Sequence, residues 1–187
     1  MIGDVWLCGG QSNMYWPMEK IKDAKTEIAK ASNPSLRLFT VKRAAADSPI
    51  ESVQGGWLPA NPYTVKQFSA VGYFFGEAIQ KETGLPIGLI QSCVGGTLAS
   101  NWTSQEKLDA NPDAEAHFKR YEKEKKAYPK LLAQYKEEVA KDPKAAKPRP
   151  PERRQPAGYY NAMIHPLHGF PIAGVIWYQG ESDSWKH

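Results

Sequence analysis

Cysteine is nearly absent: the 187 residues contain two, Cys8 and Cys93. Two thiols in apolar stretches exclude a disulfide framework and a cysteine zinc site, and they read as buried thiols. Histidine is scarce as well, with four residues. No metal-ligand spacing joins them to acids, so neither a metal nor an organic cofactor is expected. No apolar run approaches the ~18 residues of a bilayer-crossing helix, so no membrane partner is expected. No basic stretch precedes an apolar one in the manner of a secretory signal. The chain opens directly on a strand-like run at residues 2–7, which reads as a piece of something longer.

What is present is a globular composition, 41% hydrophobic and rich in aromatics, long enough for one α/β domain. The net charge of +4 raises the question of nucleic acid. Its distribution answers it. Between Glu106 and Arg154 there are 14 Lys/Arg against 10 Asp/Glu, and the rest of the chain has 10 of each. The whole surplus sits in one Lys/Glu-rich segment whose mixed signs at helical spacing read as a solvated helix face, so no nucleic-acid partner is expected.

The apolar pattern predicts alternating strands and helices. Residues 4–8 read as a buried strand ending at Gly9-Gly10. Residues 19–31 read as a helix with Ile21, Ala24, Ile28 and Ala31 on one face, and 36–41 as a second strand. Residues 47–63, rich in Pro, Gly and Ser, read as an irregular loop. Residues 67–83 give a helix with Phe68, Val71, Phe75, Ala78 and Ile79 inward, ended by Gly84. A third strand follows at 85–90, and Thr103 or Ser104 can cap a short helix. A charged helix is expected over 113–142, kinked at Pro129, with Tyr121, Tyr128, Leu131, Leu132 and Tyr135 as its thin apolar stripe. Residues 143–156 form a Pro-rich linker, 158–170 a helix and 172–178 a fourth apolar strand. The charged helices and linker, 104–156, thus interrupt a single domain spanning 1–187. The pattern is that of a three-layer α/β/α fold on a parallel sheet, which binds ligands beyond the C-terminal strand ends.

The unusual residues lie at those ends. Ser12 follows a strand and Gly9-Gly10, and Asn13-Met14 open a helical turn, which lifts the hydroxyl above the sheet edge. By that pattern alone an ordinary N-cap serine is the better reading. The Gly-x-Ser-x-Gly elbow is absent, because Gly10-Gln11-Ser12-Asn13-Met14 lacks the second glycine. Gly95-Gly96-Thr97 follows the third strand and can turn backbone N–H groups toward an oxyanion, or can simply be a tight turn. Gln179-Gly180-Glu181 supplies an amide and a carboxylate after the fourth. Three donor-rich strand ends on one face weigh more than any one of them.

Gly10-Gln11-Ser12-Asn13-Met14, then Gly95-Gly96-Thr97 with Trp102, then Trp177-Tyr178-Gln179-Gly180-Glu181-Ser182 resemble, in order and spacing, the blocks of the sialate O-acetylesterase family. That family is a branch of the SGNH hydrolases, similar to certain acetylxylan esterases. Residues 160–167 also resemble the segment before its third block. The resemblance covers the chain outside the charged insert. It implies an SGNH or flavodoxin-like α/β fold, incomplete at its C-terminus, and a serine esterase acting on acetylated carbohydrate through an acyl-enzyme. Ser12 is then the nucleophile. The oxyanion hole is the Ser12 N–H, a glycine N–H from Gly95 or Gly96, and Gln179 where many SGNH enzymes have Asn, with Ser182 as substitute. Gln11, Asn13, Trp102 and Glu181 are the expected substrate contacts. The parent protein is expected to be secreted, periplasmic or lysosomal-like.

The resemblance also implies a base, a His in an Asp-x-x-His segment well past the third block. Asp183 and His187 come too early and at the wrong spacing. His117 reads as solvated in the insert, and His165 and His168 as scaffold. This chain by itself is therefore expected to be nearly inactive, since loss of the base costs on the order of 10⁶ in kcat. The unsupplied segment should leave the fourth strand partly bare, to be covered by a dimer partner or another segment. Tyr15, Trp16, Trp102 and Trp177 can stack on sugars or be core, Trp177 rather core. A sialate carboxylate calls for a positioned arginine, and outside the insert only Arg37 and Arg43 exist, neither in a block. The rival reading is a non-catalytic carbohydrate-binding or assembly fragment. A lipid-directed SGNH esterase would need a long apolar groove, of which the sequence gives no sign.

Overall fold

The structure is a computed structural model that describes residues 2–142, 148–150 and 154–184. Five strands form one sheet: β1 (Asp4–Gly10), β2 (Asn33–Thr40), β3 (Trp57–Ala60), β4 (Ile87–Cys93) and β5 (Gly174–Tyr178), in the order β3-β2-β4-β1-β5. All pairings are parallel except that of β2 with β3. The five helices are α1 (Ser12–Tyr15), α2 (Ala24–Lys30), α3 (Ala70–Thr83), α4 (Gln105–Asp109) and α5 (Ala114–Lys141).

Period-2 alternation on the strands divides two cores. Cys8, Leu36, Leu38, Ile87, Leu89 and Cys93 face one side, where Phe68 and Tyr73 cover them. Leu7, Ile90 and Val94 face the other, covered by Trp102, Tyr159, Ala162 and Met163. Helix α3 starts where Ser69 Oγ accepts the Gly72 N–H at 2.9 Å and ends at Gly84. Its buried face is Gly72, Tyr73 and Gly76, whereas Val71 is exposed and Ala78 turns outward. The small glycines let the helix sit close to the sheet, a contact that apolar spacing does not report.

Several expected elements are corrected. The first helical segment is a 3-10 turn, Met18–Lys20, then the shorter α2. The loop expected over 47–63 contains β3, an antiparallel edge strand. Pro59 is compatible with an edge because no further strand needs its N–H, and Trp57 packs its ring 5.4 Å from that of Phe39. The helix expected over 158–170 is a π-turn, Tyr160–Ile164, followed by a 3-10 turn, His165–Leu167. Strand β5, expected to be partly bare, leaves Val175, Trp177 and Tyr178 about half exposed.

In the insert, Ser104 caps α4, accepting the Lys107 N–H. Helix α5 runs 28 residues through Pro129 and buries only Ala114. Leu108, Ala114 and Ala157, with Phe118 against them, form a small third core that ties the insert to the domain. The Pro-rich linker lies partly outside the described residues. No described helix is long and apolar enough to cross a membrane.

Candidate active site

Strands β1, β4 and β5 end level with one another: Gly10 pairs with Cys93 on one side and with Tyr178 on the other. The three expected blocks therefore leave the same rim. Gly10 has φ +131°, and a Cβ there would stand 2.1 Å from the Tyr178 carbonyl oxygen. Only glycine fits, and the chain turns sharply into α1. The turn is fixed by Gln11, whose N–H donates to the Tyr178 carbonyl at 3.0 Å, and by Met14, which is almost fully buried.

Ser12 is the first residue of α1, with Gln11 as its N-cap, and its side chain is exposed. Its Oγ makes no hydrogen bond with any other described residue, and no described histidine bonds it. Gly95 lies alongside: a Cβ added to it would be 3.4 Å from the Ser12 Cβ. Gly96, at φ +70°, adopts the left-handed conformation that points the turn outward. Gln179 approaches from the third strand end. Its Nε2 donates to the Thr97 carbonyl at 2.7 Å and reaches the Gln11 Oε1 at only 3.4 Å. The second contact is long and weak. The structure thus brings Ser12, Gly95 and Gln179 to one rim through their shared neighbours, Gln11 and Thr97.

The expected substrate contacts divide. Asn13 donates its Nδ2 to the Glu181 Oε1, joining the first block to the third beside Ser12. Glu181 Oε2 is buried and has no partner among the described residues. Gln11, 2% exposed, and Trp102, 6% exposed, face inward instead. The Trp102 indole N–H donates to Thr97 Oγ1 at 2.8 Å, and its ring stacks 5.1 Å from Tyr159. Neither offers a face to a sugar, because each completes the hydrogen bonding of the rim. Trp177, expected in the core, is 44% exposed and meets Trp102 edge-on at 5.6 Å. Tyr15 and Trp16, next to Ser12, are also open, at 45% and 48%.

Sequence reasoning missed the residues that hold this rim. Buried Thr97 accepts from Trp102 while its hydroxyl donates to the Val94 carbonyl at 2.8 Å. Asn101 donates to the Arg154 and Gln155 carbonyls, and Arg154 Nη1 donates to the Gly95 carbonyl at 2.9 Å. The end of the insert is therefore fastened to the glycine turn. Asp183 accepts the Ala99 N–H at 3.1 Å and acts as a loop tie; His187 lies outside the described residues. His117, expected in solvent, is half-buried and lines a cavity with Gly95 and Gly96. His165 Nδ1 contacts the Ile50 carbonyl at 3.3 Å, and His168 lies against Tyr160. No group of three or more metal-ligating side chains occurs among the described residues.

Burial pushes the thiols of Cys8 and Cys93 up to about 12, with Cys8 adding to the effect on Cys93. Both are free and neutral. They belong to the core beneath the site and have no part in its chemistry.

Residues 2–147 match the family model described as carbohydrate esterase, sialic acid-specific acetylesterase. The sialate O-acetylesterase of Rattus norvegicus is 30% identical over 208 aligned positions, which take in 98% of this chain and 36% of that protein. That of Homo sapiens is 31% identical over 192, covering 98% and 32%. The crystal structure of a carbohydrate acetylesterase from Xanthomonas citri superposes with a TM-score of 0.73 at 33% identity, covering 97% of this chain and 34% of that one. The chain spans about a third of the length of these relatives. The resemblance read in the three blocks holds, and the chain belongs to the carbohydrate esterase family of sialic acid-specific acetylesterases.

Proposed function

We propose that this chain carries the nucleophile and oxyanion hole of a serine esterase that removes O-acetyl groups from carbohydrates. The observation that carries the reading is the exposed Ser12 with Gly95 against it and Gln179 one residue away through Gln11. In the proposed reaction Ser12 Oγ loses its proton to a base and attacks the acetyl carbonyl carbon. The carbonyl π pair moves to oxygen, where the N–H of Ser12, a glycine N–H of the 95–96 turn and the Gln179 amide receive it. Collapse breaks the bond to the sugar oxygen, which leaves with a proton, and an acetyl-Ser12 remains. Water then repeats the attack and releases acetate. The Asn13–Glu181 bond holds α1 against the third block, so Asn13 and Glu181 position the nucleophile's turn. Sugar contact falls to Tyr15 and Trp16, which are open beside Ser12.

Support for the carbohydrate class comes from the relatives, named sialate O-acetylesterases and a carbohydrate acetylesterase. The half-exposed Val175, Trp177 and Tyr178 on β5 support a second expectation, that a partner chain or a further segment covers that edge. The test of the catalytic reading is a fluorophosphonate probe followed by mapping of the modified peptide. Modification at Ser12, absent in Ser12→Ala, is the expected result. Retention of acetylated sugar with no modification of Ser12 would establish the rival reading, a non-catalytic carbohydrate-binding fragment.

A further inference from the structure

We propose that the end of the sheet remote from Ser12 carries a binding site for a small aromatic carboxylate. This is independent of the esterase reading. Register sets Val5 of β1, Gly88 of β4 and Arg37 of β2 side by side in one row. All three face the side of the sheet on which Leu7, Phe39 and Ile90 pack, because side chains alternate along each strand. Gly88 has no side chain, so the row is notched between Val5 and Arg37. The Trp57 ring of β3 reaches into the notch: a Cβ on Gly88 would stand 3.0 Å from that ring and 3.1 Å from Val5 Cγ2. The segment ahead of β5 is tied to the same row, the Ala173 N–H donating to the Val5 carbonyl at 2.7 Å, and Phe170 lines the cavity from there. The result is a cavity of about 280 Å³.

Its walls define the ligand chemistry. Arg37 is half-buried, and its guanidinium makes no hydrogen bond or ion pair with any described residue. Arg120, equally half-buried, engages Glu124 at 2.8 Å. A guanidinium held against apolar walls gives up hydration, and nothing in the described chain returns it. Asp4 also lines the cavity, yet no ion pair joins it to Arg37. A single carboxylate matches the planar fork with two parallel hydrogen bonds. Trp57 and Phe170, 38% and 43% exposed, present the aromatic surface against which a ring packs. The volume lies at the lower end of small-molecule sites, about 300 Å³, and suits one ring with a short acidic chain. The position separates this ligand from the ester substrate. Val5 and Gly88 stand five residues before Gly10 and Cys93, which is about 17 Å along the strands from the rim.

The 187-residue chain is titrated with 3-phenylpropionate, 3-phenylpropanol and propionate, and its amide resonances are followed, with the Gly88 N–H as local reporter. The acid should bind at least about tenfold more tightly than the alcohol, which lacks the charge, and than propionate, which lacks the ring. Arg37→Gln should weaken it about tenfold, and Arg37→Lys should recover little of that. Phe170 belongs to none of the three cores, so Phe170→Ala should weaken binding about three- to tenfold with the melting temperature unchanged. Should Arg37→Gln melt early, the Phe170→Ala affinity decides. Equal binding of the alcohol or of propionate, or an unaltered affinity in a folded Arg37→Gln or in Phe170→Ala, would each overturn the proposal. So would failure of the acid to bind; a dimer that Phe170→Ala dissolves would then assign the notch to a second copy. Phosphonate modification of Ser12 is measured with and without the acid. Protection of Ser12 would move the ligand to the rim and overturn the site, whereas absence of modification in both samples removes the esterase reading and leaves the site standing.

Discussion

The rim at the ends of β1, β4 and β5 is held together very differently from the insert that overhangs it. At the rim the buried polar groups are Gln11, Thr97, Ser100, Asn101 and their neighbours, and Thr97 alone serves Trp102, Val94 and Gln179. Helix α5 has one buried residue in 28, and its ion pairs, such as Lys119–Glu115 at 2.8 Å, are largely exposed. Buried hydrogen bonds cannot be exchanged for water when lost, so each is costly to break. Exposed pairs are exchanged freely and contribute little. Precise placement of side chains therefore resides at the rim, while the exposed face of α5 contributes little to it.

The sharpest way to break this contrast is at Ser12. Ser12→Ala should abolish phosphonate modification and, in a longer chain that supplies the base, cost on the order of 10⁶ in kcat of acetyl-ester hydrolysis. Ser12 is exposed, so its melting temperature should stay where it is. Next comes Gln179→Ala, which removes one donor and should lower kcat by about 10²–10³ with a smaller change in KM. If both parameters of Gln179→Ala equalled those of the parent protein, the third donor would have to be sought at Ser182.

Thr97→Val measures the scaffold itself. The change keeps the shape but strands the Trp102 indole N–H and deprives the Val94 carbonyl of its donor. A loss of about 1–3 kcal/mol in denaturant unfolding is expected. A neutral result would mean that the rim is held by packing and not by its buried bonds.

Such a result could not have been anticipated from the chain, and the reason is physical. The strand runs, the Ser104 cap of α4 and the terminal Gly84 of α3 were legible because they are local: alternation, one hydroxyl, one glycine. So were the three blocks, each a dense string at a strand end. Strand β3 was hidden because Pro59 and its flanking loop residues match turn statistics, and only pairing with β2 makes them a strand. Trp102 and Gln11 read as substrate contacts because a polar or aromatic residue beside a motif looks the same whether it faces out or in. The bond from Arg154 to Gly95 crosses 59 positions and leaves no trace in spacing. Asn101-Trp102 was the one available signal, a buried amide beside a motif tryptophan.

A smaller effect comes from the thiols. Burial raises Cys8 and Cys93 to about 12 in the folded chain, against roughly 8.5 when unfolded. The folded state then holds more protons above that lower value, and stability falls as pH rises from about 8 toward 12. Between pH 8 and 9 the loss should be about 1–2 kcal/mol for the pair, since one unit well above the unfolded value is worth about 1.4 kcal/mol per group. Chemical denaturation at the two pH values checks it, and Cys8→Ala should remove about half of the dependence. A flat dependence in the parent protein would mean that the thiols beneath the rim are reached by water.

The smallest effect is expected where the insert is most exposed. Leu131 lies on the apolar stripe of α5 yet is 47% exposed, and it belongs to none of the three cores. Leu131→Gln keeps a good helix former in place and removes little buried area. The unfolding free energy should therefore move by no more than about 0.5 kcal/mol, with Ser12 modification unchanged. The value of so small a change is its sign and its concentration dependence. If Leu131→Gln shifted melting by several degrees only at high protein concentration, Leu131 would be packing against a second chain. The insert would then be an interface in solution, and its difference from the rim would lie in what it binds.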